Sequence, residues 1–379
     1  MFHLLDFEEC CHLSAATVTD LRHELHKHPE LSMKEVHTRE LLMAFLSQHT
    51  SARICDEGSW FWCVFGENEP GEPIAFRADI DALPIEEDDS LPYHSVNPGV
   101  SHKCGHDGHA ACLCGLALML ERYPVKRPVY LIFQPGEEIG AGGRMCAGLV
   151  KERGIPEVYA FHNLGGYPEN SIVYRKGLTQ PASEGLRISF RGKCTHASAP
   201  ENGKNPAAAL ARMILFLQKL SERPSRGLVL ATVVGLKAGA GDFGISAGDG
   251  ELSLTLRAEY EQEMKELEAR ILAYADEQAS LEGLEVSHEI SDRFPETKNT
   301  EHALSRVREA AECLGKELIE MKDLWRASED FGYYTKIAEG AIFYIGTGED
   351  VPPLHTQQYD FNDRIIETAM MMFYTLASQ

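Results

Sequence analysis

Four short apolar runs, each closed by a turn and then by residues able to do chemistry, set the strongest limit on how this chain folds. PIAF leads into Arg77, Ala78 and Asp79, and VYLIF leads into QPGEE, which carries Glu137 and Glu138. VYAF leads into His162 and Asn163, and AIFYIG leads through a glycine turn to PPLHT and His355. Runs of this length, rich in Val, Ile and Phe and alternating with helical stretches, predict strands buried in a mostly parallel α/β sheet. One helical stretch begins near His109 and continues through CLCGLALMLERY. Another covers residues 15–48, with Leu21, Leu25, Leu41, Leu42 and Phe45 at apolar positions. It is interrupted at HKHPELS, where Pro29 ends one helix and Ser32 is expected to cap the next.

The middle of the chain has a different rhythm. GLRISFRG reads as a strand and PAAALARMILFLQKL as an amphipathic helix with Pro206 in its first turn. Two strands follow, LVLATVVGL and ELSLTLRAEY, then the helix EQEMKELEARILAYADEQA and a last strand, LEVSHEI. The order β-α-β-β-α-β is that of a ferredoxin-like unit. Strands of the first kind resume near Ala341, so this α+β unit is read as an insertion. The expected division is a first catalytic part over 1–181, a lid and dimerisation domain over 182–293, and a second catalytic part over 294–379.

A length of 379 residues suits two domains with a sizeable interior. Asp and Glu outnumber Lys and Arg by 58 to 36, a net charge of −22, which disfavours nucleic acid and anionic membrane as partners. The segment MFHLLDFEECC has no basic region ahead of an apolar one and does not read as a signal peptide. The longest apolar run, AACLCGLALML, is far short of the roughly 20 residues that span a bilayer. The 10 cysteines are too dilute for a disulfide scaffold and none is paired as CxxC, so a cytoplasmic protein with reduced thiols is expected.

Ligands of open α/β sheets gather outside the carboxyl ends of the strands. Asp79, Glu137, Glu138, His162 and His355 all fall at that edge, and Cys104-Gly105-His106-Asp107-Gly108-His109 stands just before a helix. Taken singly, each has a bland explanation: a buried thiol beside a histidine, a solvated acidic turn, a core histidine, a histidine in a proline loop. Together they bring thiolate, imidazole and carboxylate to one edge, the ligand set of zinc or a similar transition metal. Cys104, His106, Glu138, His162 and His355 exceed the three protein ligands of a usual mononuclear catalytic site, which favours two metals sharing a bridging ligand. A metal lowers the pKa of bound water, and a glutamate not fully committed to coordination can take that proton and pass it to a leaving amine.

With these motifs in hand, the chain resembles the metal-dependent aminoacylase, carboxypeptidase and auxin-conjugate hydrolase family of amidohydrolases. LHKHPELS, FRADIDALPI, HKCGHDGHAA, FQPGEEIGAGG, FHNLGGYP, CTHASAPENGKNPAAA, SEDFGYY and LHTQQYDFND carry the resemblance in family order along nearly the whole chain. The resemblance implies a catalytic α/β domain interrupted by a ferredoxin-like lid, and two divalent metals (Zn, Mn, Co or Ni) with Cys104 bridging. It implies His106, Glu138, His162 and His355 as the remaining ligands, Glu137 as general base, and Asp79 as a carboxylate orienting a metal-binding histidine. It implies that His196, in THAS, contacts the substrate carbonyl oxygen, often across a dimer interface. Arg77 stands where related two-metal peptidases carry a histidine ligand, which points to the Cys-containing hydrolase branch. Asp330, in SEDF, is assigned either to the site edge or to structure.

One segment departs from the family pattern. Where aminoacylases carry Asn-x-Ile-Pro in the lid, this chain reads LKAGAGDFGISAGDGEL, leaving Arg257 of TLRAEY as a candidate clamp for a substrate carboxylate. The expected activity is hydrolysis of the amide bond of an N-acyl amino acid or related small conjugate by a homodimer formed through the lid. The alternatives are a peptidase acting on dipeptides or C-terminal residues, and a relative that binds metal and ligand without catalysis.

Overall fold

The four apolar runs lie side by side as Val129–Gln134, Ile74–Asp79, Glu157–Leu164 and Glu339–Gly346, all parallel. Every residue of the first three is buried, which is why their sequences show no alternation. Arg53–Asp56 and Phe61–Phe65 continue the sheet at one edge, Ile172–Tyr174 and Leu318–Glu320 at the other, giving eight strands. The antiparallel pairings at both flanks make the sheet mixed. The computed structural model of the protein describes residues 7–88, 90–221 and 225–379. The opening residues of MFHLLDFEECC, read above for a targeting signal, lie outside the described residues.

Successive side chains of a strand point to opposite faces, so each buried strand feeds two cores. Ile74, Phe76 and Ala78 join one core with Leu113, Leu116 and Phe373. Ala75 joins the other with Ile132, Cys146 and Tyr334. Helices cover both faces, the arrangement expected for parallel strands.

The first two helices are Phe7–Lys27 and Val36–His49, separated at Pro29 as expected, the first beginning well before residue 15. Ser32 does not cap the second. The residue before that helix is Glu35, which makes no side-chain cap bond, while the Ser32 hydroxyl donates to Asp81 Oδ2 at 2.7 Å. A hydrogen bond to a charged carboxylate is worth more than an ordinary N-cap, and the serine follows it. The helix read as starting near His109 is His106–Arg122, opening directly on a candidate ligand.

The chain divides into two units, one holding residues up to Thr179 with Thr297–Leu324 and Glu329–Gln379, the other Gln180–Glu296 with Trp325–Ser328. The second contains the strands Ala182–Arg191, Val229–Ala238, Asp249–Ala258 and Glu285–Phe294 and the helices Ala207–Ser221 and Glu261–Glu282. Its sheet is antiparallel, and chain order maps onto the spatial order second, third, first, fourth. That is the ferredoxin-like arrangement. Leu186, Ile188, Leu252 and Leu254 from the strands pack with Met213, Leu217 and Ile271 from the helices. The short Trp325–Ser328 stretch joins this unit because Arg257 donates to the Arg326 carbonyl and the Ser183 and Ser328 hydroxyls lie 2.7 Å apart. Such a distant tie left no local trace in the sequence.

Candidate metal centre

Cys104 and His106 flank Gly105, whose φ of 100° is left-handed. A Cβ on Gly105 would stand 2.5 Å from Asn163 Oδ1 and 2.7 Å from the Tyr359 hydroxyl. Glycine thus permits both the backbone turn and the close approach that delivers the thiol and the imidazole to the sheet edge. Glu137 and Glu138 follow the strand Val129–Gln134 on a short turn, and His162 sits near the end of Glu157–Leu164. His355 is held in a left-handed conformation, φ 62°, with its N–H donating to the Lys103 carbonyl at 2.7 Å.

These loops bring five candidate ligands together in two groups. The donor atoms of Cys104, His106 and His162 lie within 4.8 Å of one another, and so do those of Cys104, Glu138 and His355. The sulfur of Cys104 belongs to both. Cys104 Sγ is 3.5 Å from His162 Nε2, and His355 Nε2 is 3.4 Å from Glu138 Oε1. Donors at zinc-like bond lengths around a tetrahedral ion are separated by roughly 3.3–3.8 Å, so the spacing suits a cation of that size.

The hydrogen-bond census supports the same reading. His106 Nδ1 is 3.1 Å from Asp81 Oδ1, and His162 Nδ1 is 2.8 Å from the Asn163 carbonyl. Each of those contacts holds the proton on Nδ1 and turns the Nε2 lone pair inward, the usual way a protein prepares a histidine ligand. Among the described residues, His106 Nε2 and Glu137 Oε1 are buried with no hydrogen-bond partner. Orphaned buried acceptors are costly unless something compensates them, and a divalent ion does so. Electrostatics agree: burial, then Glu138, Glu137 and Asp79, push the Cys104 thiol well above its ordinary range. Burial, Glu329, Asp330 and Glu138 do the same to the Glu137 carboxyl. Burial opposes the protonated form of His106, yet Asp79 and Asp81 outweigh it and hold the imidazole up to about 10. A site so rich in negative charge needs cations to be occupied by thiolate and carboxylates together. Glu137 is in reach of the same ligands, its Oε2 4.0 Å from His106 Nε2.

Residues 75–379 match the model of the peptidase family M20/M25/M40. The chain belongs to this family. It is 30% identical over 364 residues to the N-acetylcysteine deacetylase of Bacillus subtilis, covering 94% of this chain and 95% of that one. It is 29% identical to the hippurate hydrolase of Campylobacter jejuni, with 94% of both chains covered. A solved Bacillus subtilis structure, a dinuclear metal binding peptidase from the M20 family, superposes with a TM-score of 0.80 at 27% identity, covering 97% of this chain and 98% of that one.

Within this M20 chain the site holds residues that sequence reasoning missed. Asp79, expected to orient a metal-binding histidine, accepts from Arg77 Nη1 at 2.7 Å and contacts His109 Nδ1 at 2.5 Å. Its oxygen stays 3.7 Å from His106 Nε2, and the carboxylate that holds His106 is Asp81. The FRADIDALPI motif contained both aspartates, two residues apart and so on one side of the chain, and nothing local ranked them. His109 has both ring nitrogens against oxygens, Asp79 Oδ1 and, at 2.6 Å, Asn163 Oδ1, which keeps it out of the ligand groups around Cys104. Asp330 is fully buried, accepting from Arg77, Gln134 Nε2 and Gly143 N–H.

His196 and Arg257 belong to the second unit. His196 is exposed on the two-residue strand Thr195–His196, its Nδ1 2.6 Å from the Ser198 hydroxyl. Arg257 is half-buried on the strand Asp249–Ala258. Among the described residues, no helix is long and apolar enough to cross a membrane.

Proposed function

We propose that this protein is a two-metal amidohydrolase that cleaves the amide bond of N-acyl amino acids. The observation that carries the reading is the pair of ligand groups sharing the Cys104 sulfur, with an unpartnered Glu137 oxygen beside them. The relatives that deacetylate N-acetylcysteine and hydrolyse hippurate act on N-acyl amino acids, and their names indicate the substrate class. Cys104, His106 and His162 would hold one divalent ion, and Cys104, Glu138 and His355 the other. When bound, such ions supply Lewis acidity and make water ionisable near neutral pH.

The remaining work falls to side chains of this chain. Asp81 and the Asn163 carbonyl keep His106 and His162 in the tautomer that offers Nε2. Glu137 Oε1 takes the proton of the attacking water and delivers it to the departing amine nitrogen, and the low-dielectric setting that raises its proton affinity suits both halves of that transfer. His196 would donate to the developing oxyanion. Arg257, with one guanidinium nitrogen given to the Arg326 carbonyl, would pair the substrate carboxylate through the others.

Glu137→Gln tests the assignment. It keeps its metal, read by elemental analysis, and loses turnover of N-acetyl and N-benzoyl amino acids by about 10²–10⁴-fold. Near-normal turnover would remove Glu137 as the base. A panel that includes free dipeptides separates this reading from a dipeptidase.

A homodimer formed through the second unit belongs to the same proposal. Its support is the edge strand Val229–Ala238, which exposes Val234 and Leu236, with Leu215 exposed on the helix Ala207–Ser221.

A further inference from the structure

The chain between the first two helices, Glu30 to Glu35, supplies no candidate ligand, yet its side chains bond to the turn that carries Glu137 and Glu138 and to the Asp81 carboxylate that His106 and Glu138 share. It is tied down on each side. Leu31 bridges Ala82, whose N–H donates to the Glu30 carbonyl at 2.9 Å, and the Glu30 carboxylate accepts the Thr38 N–H at 2.8 Å. From this fixed base two side chains reach inward. Ser32 donates to Asp81 Oδ2 at 2.7 Å. The same oxygen accepts the Glu138 N–H at 3.0 Å, while Oδ1 faces His106 Nδ1. Glu35 is 4% exposed and accepts the Gly136 N–H at 2.8 Å. Gly136, the residue before Glu137, is left-handed at φ 60°, and a Cβ on it would stand 2.7 Å from the Met33 sulfur.

We propose that Ser32 and Glu35 are positioning residues for the hydrolysis: Glu35 holds the backbone turn that aims Glu137, and Ser32 locks the Asp81 carboxylate that orients His106 and Glu138. The proposal rests on the roles given above to Glu137 and Glu138. A reacting group displaced by about 1 Å costs on the order of 100-fold in rate, so a turn entered and left through left-handed glycines, Gly136 and Gly140, gains from an external anchor. The anchor is strong where a carboxylate meets an N–H away from water. Burial and the neighbouring Asp81 push the Glu35 carboxyl up to about 7. Glutamine at this position keeps the accepting oxygen where it is needed; alanine removes it, and aspartate withdraws it by one methylene.

The test uses the full chain with Ser32→Ala, Glu35→Ala, Glu35→Asp and Glu35→Gln, read by titration with Co²⁺ through the cobalt–thiolate absorption of Cys104 and by kcat and KM on N-acyl amino acids. Ser32→Ala is expected to weaken Co²⁺ binding about 10–100-fold, the usual loss when a group holding a ligand is removed. Glu35→Ala and Glu35→Asp lower kcat by roughly 10–100-fold while KM and Co²⁺ affinity stay within about twofold. Glu35→Gln restores kcat to within about threefold of the parent. Should Glu35→Ala fail to fold, Glu35→Asp carries the measurement. Parental cobalt affinity in Ser32→Ala together with parental kcat in Glu35→Asp overturns the proposal. So does a fall in thermal stability with neither quantity changed. A parent that hydrolyses no amide would sink the hydrolase reading instead, and the cobalt titration of Ser32→Ala would then decide the positioning role alone.

Discussion

A thiol buried among carboxylates is an unfavourable arrangement on its own. Cys104 is 7% exposed and meets Glu138 in one ligand group and His106 in another, so it is the side chain whose loss disturbs both. Cys104→Ser exchanges an ionisable, soft donor for an alcohol that stays protonated at neutral pH. The expected outcome is loss of bound metal by elemental analysis and a fall in amidase activity of at least about 100-fold, with the fold retained by circular dichroism. Activity near the parental level would remove the shared-ligand assignment. At this scale the sequence was readable where chemistry is concentrated, in CGHDGH, QPGEE and LHT. It was mute where a residue acts through another: Asp81 and Asp79 are the same residue type two positions apart, and only the packed structure gives one to His106 and the other to His109.

The loop between Lys103 and Asp107, which carries two of the candidate ligands, is an element clamped at both ends. Lys103 donates to Glu87 and, at 2.8 Å, to the Tyr359 carbonyl. Asp107 accepts from Arg22 Nε at 2.9 Å and contacts His26 Nδ1 at 2.7 Å. Arg22 and His26 are four residues apart on the first helix, so they share a face, a spacing visible in LRHELH but without an assignable partner. Glu87 touches both ends of the clamp, since His26 Nε2 is 2.8 Å from its carboxylate. Burial works against the charged form of Glu87, but His26 and Lys103 prevail and hold it down to about 2, below the ordinary 4.5. A depressed carboxyl contributes stability that is complete above its unfolded value and is lost as pH falls through the folded one. Glu87→Gln is therefore expected to lower thermal stability at pH 7 by about 3 kcal/mol, the scale of a broken buried pair. The gap to the parent, followed by calorimetry, closes as pH drops from 4.5 towards 2. A gap that stays constant across that range would mean the charge does not hold the loop.

For the molecule as a whole, the second unit presents its Val229–Ala238 strand as a sheet edge unpaired among the described residues. Exposed apolar edges are rarely left bare, because their free N–H and C=O groups recruit another chain. Val234 is 63% exposed and Leu236 57%. Under the proposed dimer, Val234→Glu with Leu236→Glu shifts the protein from dimer to monomer in light scattering, without altering the helical content of either unit. A parent that is already monomeric, or a double variant that remains dimeric, would discard this edge as the interface. The ferredoxin-like order of this unit was legible because its helices and strands alternate locally. The exposed edge was not, since LVLATVVGL reads the same whether a partner covers it or not.

What the sequence determined by itself was the set of elements and the edge at which their chemistry collects. Apolar runs, turn residues and helical periodicity are properties of short windows, and a parallel strand delivers its terminal residues to one side whatever the rest of the chain does. What only the tertiary structure decided was pairing. Arg77 meets Asp330 across 253 residues, and Arg22 meets Asp360 across 338. Ser32 left the helix it was expected to cap for a carboxylate 49 residues away. Such contacts depend on how packed helices and strands set side chains against one another, and a buried charge selects its partner by distance in space, of which neighbouring residues in the chain carry no record.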